Sequence, residues 1–137
     1  MISEIFSPNI AHAIFILFLV SFGVCGLGGL LLLAILYFRL TRKYDAIFSD
    51  HDRMVPMPSI MGTALRTSCY ALCIIFRNFT KKKRNKRIYE VTGDYDFRAN
   101  ASKADILLSY LLFIFSMVTT VSVFIVFIMS KTLNIDY

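Results

Sequence analysis

Apolar and polar positions divide the chain into long blocks. Residues 10–36 contain no Asp, Glu, Lys or Arg in 27 positions, and residues 106–129 contain none in 24. At 1.5 Å per residue these runs make about 40 and about 36 Å of helix, enough to cross a hydrocarbon core of roughly 30 Å with some tilt. The pattern predicts transmembrane helices over 10–38 and 106–129. A short segment, 1–9, precedes the first and a tail, 130–137, follows the second.

Between the two runs lies a polar stretch, 39–105, with one amphipathic element inside it. Met61, Leu65, Cys69, Leu72, Cys73, Phe76 and Phe79 recur at helical spacing, while Thr63, Arg66, Thr67, Tyr70 and Arg77 fall largely on the other side. This predicts a surface-lying helix over 59–79, started by Ser59 after Pro56 and Pro58. Ten residues separate Arg66 from Arg77, about 15 Å of helix, so the segment is too short to span between its charges. The fold class expected is an all-α membrane protein: two transmembrane helices in a hairpin, joined by a basic loop with an interfacial amphipathic helix.

Charge fixes the expected orientation. Fourteen of the fifteen Lys and Arg residues fall between Arg39 and Asp105, and Lys131 is the exception. Such asymmetry places the loop on the cytoplasmic side and both termini opposite. Six of these cations, Lys81, Lys82, Lys83, Arg84, Lys86 and Arg87, follow the amphipathic helix. Each contributes on the order of 1 kcal/mol near an anionic leaflet, so with Arg66 and Arg77 they are the candidate contacts to anionic lipid or an acidic partner. A net charge of +6 would suggest nucleic acid in a soluble protein, but no such fold is legible and the cations are confined to one loop.

The composition, 57% apolar with a mean hydropathy of +0.65, excludes an ordinary soluble domain. In the first run Ser21, Cys25 and Gly29 stand four apart; in the second, Ser116 and Thr120 do. Small and weakly polar residues at this spacing permit close helix approach, within the hairpin or to another subunit. Neither run carries an interior acid or base beyond the terminal His12, which leaves a pump or proton channel little to work with.

Candidate chemistry is sparse. The three cysteines show no disulfide or metal spacing, and Cys69 and Cys73 read as small apolar residues, with lipidation near a membrane surface as the functional alternative. Asp45, Asp50, His51 and Asp52 read as a solvated turn, since Arg53 follows and the ligands lack a metal pattern. Asp94-Tyr95-Asp96 reads as a turn, because no phosphate-cradling loop or base accompanies it. Ser102 and Asp105 have the spacing of a capping box ahead of the second run. No catalytic constellation or cofactor motif emerges, so no enzyme activity and no cofactor is expected.

The order Met1-Ile2-Ser3 before an early span, Leu65-Arg66, Tyr70, Phe76-Arg77, a strongly basic patch, then Asp96-Phe97-Arg98 leading into a C-terminal span resembles the universal stress protein B family of small bacterial inner-membrane proteins. The resemblance implies a two-span envelope protein with no established catalytic site. The expected function is therefore a non-enzymatic accessory or scaffold subunit of a membrane assembly, partnered by membrane lipids, other membrane proteins or its own copies. Two alternatives are a structural protein linking the bilayer of a lipid-containing virus or coat to its shell, and a membrane-active stress or toxin-like protein.

Overall fold

The computed structural model describes residues 8–57 and 59–132; the predicted N-terminal segment up to residue 7 and most of the C-terminal tail lie outside them. The described residues are helical, with no strand among them. Helix α1 covers Pro8–Leu36, passes through a π-helical turn at Tyr37–Thr41 and resumes as α2, Arg42–Ile47. Helix α3 is Ile60–Ile75, α4 is Lys86–Thr92 and α5 is Lys103–Thr132. Two of these elements, Asn9–Ile47 and Lys103–Thr132, are long and apolar enough to cross a membrane.

The chain divides into two compact units. The first holds the residues up to Gly29 and from Ile114 onward. Among its described residues Ala11, Phe15 and Ser122 are buried, and the Phe115 ring lies so close to Gly28 that a Cβ there would stand 2.8 Å from Cε2. Ser21, Cys25 and Gly29 are half-buried, but Ser116 and Thr120 sit on the open side of α5, where Thr120 donates its hydroxyl to the Ser116 carbonyl. The packed face of α5 carries Phe115 and Ser122 instead, because the helical repeat from Phe115 passes through Thr119 and Ser122 and turns Ser116 and Thr120 away.

The second unit, Leu30–Phe113, turns most of the expected loop into a packed body. Leu36, Leu40, Tyr44 and Phe48 are buried at successive steps of four residues. Such steps drift by about 40° each around an α-helix, and the wider π-turn absorbs the drift so that all four face one core. They meet Tyr70, Ala71, Cys73 and Ile74 of α3, together with Ile88 and Phe97. Aromatic rings dominate: Tyr44 lies 5.2 Å from Tyr70 and 5.0 Å from Phe97, and Tyr95 lies 4.9 Å from Phe97 in an edge-on pair. The Asp94-Tyr95-Asp96 turn therefore serves the core through its tyrosine, while Asp96 accepts the Ala99 amide at 3.1 Å.

Helix α3 is shorter than expected and packs through a different face. It ends at Ile75, where Phe76 turns extended, and Ser59 stands at its start without a capping hydroxyl bond. Thr67 and Tyr70, expected on the polar side, are fully buried, whereas Met61, Leu65 and Phe76, expected on the apolar side, are exposed. The polar residues can turn inward because each finds a partner there. Thr67 shares a 2.6 Å hydroxyl pair with Thr41, and the Tyr70 hydroxyl donates to Asp45 at 2.8 Å. Gly62 lies on this packed face, where any Cβ would overlap the Met57 carbonyl.

Two charged clamps complete the unit. Arg39, in the π-turn, donates from Nε to the nearly buried Asp105 at 2.7 Å, and the Ser102 hydroxyl accepts the Asp105 amide at 3.1 Å, the expected cap of α5. Arg66 donates from Nη2 to Asp45 at 2.9 Å and stands 3.7 Å from Asp52, while His51 Nε2 lies 3.4 Å from Asp52. Asp45 is thus drawn onto α3 and His51 sits beside it, while Asp50 and Asp52 stay exposed, as expected of a solvated turn. Among the described residues no group of three or more His, Cys, Asp or Glu side chains is placed to hold a metal ion.

Candidate interaction surface

The basic run is held outward by the segments that flank it. After α3 the chain folds through tight turns, with the Phe79 amide donating to Phe76 O and the Lys81 amide to Asn78 O. Phe79 packs against the core and Thr80 is buried, which pins the start of the run. The Asn85 side-chain amide donates back to Phe79 O at 2.6 Å, closing the loop, and buried Ile88 anchors α4 beyond it. Between these anchors Lys81, Lys82, Lys83, Arg84, Lys86 and Arg87 are all exposed. Lys82 is extended, and 83–85 form a single 3-10 turn, so the run does not continue α3 as one amphipathic rod. Consecutive like charges spread around such a turn lower their mutual repulsion.

The eight cations singled out from sequence thus separate. Arg66 is committed to Asp45 inside the body, its side chain 12% exposed. Arg77 is exposed and borders a hollow of about 200 Å³ that also contains Asp94 and Asp96. Lys81, Lys82, Lys83 and Lys86 line a wider cleft of about 600 Å³ with Thr80 and Tyr89, whose hydroxyl donates to Asp94 at 3.2 Å. Arg87 instead borders a hollow shared with Asp50, Arg53 and Glu90.

A second feature escaped the sequence reading. Leu30, Ala34 and Phe38 of the first long helix face Ile60 and Ala64 of α3 across an apolar groove of about 380 Å³. Ile60, Met61 and Leu65 stand exposed beside it, so α3 buries one face in the protein and presents a second apolar stripe outward. Periodicity had revealed the stripe but could not show which side the protein itself would cover. Cys73 lies on the buried face and Cys69 is half-buried beside it. Burial pushes the Cys73 thiol up to about 12, which keeps it a neutral thiol at neutral pH, and raises that of Cys69.

Comparison with protein families, with curated proteins and with solved structures gives no match.

Proposed function

We propose that this chain is a non-enzymatic two-span membrane protein that serves as an accessory or scaffold subunit of a membrane assembly. The observation that carries the reading is the pairing of two membrane-length apolar helices with a packed basic body that holds six exposed cations in one short run. In this reading the spans form a hairpin, the Leu30–Phe113 unit lies at the cytoplasmic surface, and both termini lie opposite. The positive charge bias between Arg39 and Asp105 supports that orientation. The exposed Ile60, Met61 and Leu65 of α3 enter the boundary between headgroups and acyl chains, and the 81–87 run engages anionic headgroups or an acidic subunit. The bacterial inner membrane is the setting that the stress-protein resemblance proposes.

Extraction of the native tagged chain in a mild detergent, followed by particle mass and identification of bound proteins and lipids, tests the reading. Recovery of a defined larger complex is expected. A small particle holding copies of this chain alone, with or without anionic lipid, refutes the accessory-subunit reading.

A further inference from the structure

Six cations within seven residues invite one undivided electrostatic reading, but the fold sorts them. Four lysines line one cleft, Lys81 also bordering the hollow with Asp94 and Asp96, while Arg87 belongs to a hollow with Asp50 and Glu90 and Arg84 is not part of the lysine cleft. The four ammonium groups repel one another; the acids beside them are Glu90, 3.9 Å from Lys86 across exposed surface, and Asp94, which accepts from the Tyr89 hydroxyl and shares a hollow with Lys81. Such exposed acids give little compensation in water. The cleft therefore keeps an excess of positive charge, and it is an open surface cleft of about 600 Å³.

We infer that Lys81, Lys82, Lys83 and Lys86 form a binding site for a ligand carrying two phosphate groups. A single phosphate monoester brings a charge of about −1.5 to −2, half of what four ammonium groups accommodate. Lysine suits this role because its compact charge on a flexible stem adapts to several phosphate oxygens, with the Tyr89 ring and Thr80 forming the remaining wall. A lipid headgroup with two phosphates and a soluble diphosphate share this chemistry. The inference deepens the proposed function and rests on its reading of the 81–87 run as an anion contact.

The test places the full chain in nanodiscs of zwitterionic lipid and compares K81Q/K86Q with R84Q/R87Q, which remove equal charge from the same exposed run. Pyrophosphate binding is followed by calorimetry. Retention of a doubly phosphorylated lipid against a singly charged phosphodiester lipid, at matched total charge, is followed by native mass spectrometry. The wild type is expected to bind the two-phosphate ligand in at least one arm, the lipid arm alone assigning a headgroup and the calorimetric arm a soluble ligand. K81Q/K86Q weakens that binding about tenfold or more, and R84Q/R87Q less than about threefold. Equal losses in the two variants overturn the cleft as a site and leave the basic run as a diffuse contact, so the proposed function survives. No preference of the wild type for the doubly phosphorylated lipid and no pyrophosphate binding likewise overturn the site. Unchanged association of both variants with anionic vesicles removes the proposed role of the run as well.

Discussion

Replacing Asp45 with alanine asks whether α3 is held by a charged network inside the protein or rests there by apolar contact alone. Asp45 accepts from both Arg66 and Tyr70, and the three side chains lie at the edge of the aromatic core. Removing one partner of a buried ion pair costs about 3–5 kcal/mol, and leaving a buried hydroxyl unpaired costs about 1–3 kcal/mol. Asp45 is 20% exposed and Arg66 keeps Asp52 within 3.7 Å, so solvent and the second acid recover part of that loss. The net expectation for D45A is about 3 kcal/mol, or roughly 10 °C in Tm for a chain of this size. Y70F removes one hydroxyl while Asp45 stays paired, and should cost about 1 kcal/mol. The double variant D45L/R66M, which replaces the pair by apolar volume, should recover the ion-pair part of the loss and keep only the cost of the unpaired Tyr70 hydroxyl, about 1–3 kcal/mol. Because the chain has seven tyrosines and no tryptophan, near-ultraviolet dichroism of the full chain in mild detergent reads the tyrosine-rich core directly during heating. A D45A variant melting within about 1 °C of wild type would refute the reasoning and return Arg66 to the lipid-facing role that periodicity assigns it.

Other perturbations follow from the same geometry. Gly62→Ala drives a methyl group into the Met57 carbonyl and should displace the start of α3, with a loss of about 2–4 kcal/mol in thermal unfolding, whereas Gly29→Ala, which meets nothing within 4 Å, should be neutral or stabilising. Arg39→Ala leaves Asp105 nearly buried without its cation, while Asp105→Asn leaves an Arg39 that is 44% exposed to water; the first should cost about 2 kcal/mol more than the second by denaturant titration. Cys73 keeps its proton in the folded chain up to about pH 12, but loses it near pH 9 once unfolded. Its contribution to stability is full below pH 9 and falls as pH rises from 9 towards 12, so Cys73→Ala should flatten the alkaline limb of Tm against pH. At neutral pH a maleimide should label Cys73 only upon unfolding.

Some of this protein is written in local sequence. The two long apolar helices need no tertiary information, because a run of more than twenty uncharged apolar residues has few other stable arrangements. The Ser102 cap of α5 is similarly local, since its acceptor and donor lie three residues apart. The exposed 81–87 run is also readable, because six clustered cations cannot be buried at tolerable cost.

What only the tertiary structure decided is which side of α3 faces the protein and how the cations are divided. Hydrophobic periodicity weighs each side chain as if its surroundings were unknown, and by that measure Thr67, Tyr70 and Arg66 belong outside. They turn inward because Thr41 and Asp45, more than twenty residues earlier, supply their hydrogen bonds and charge. The π-turn that aligns Leu36, Leu40 and Tyr44 likewise takes its reason from the core they share. Thr67 and the Tyr70 hydroxyl are buried because a distant element offers each a partner, and the pairing of distant elements is set by the folded chain rather than by the pattern of any one segment.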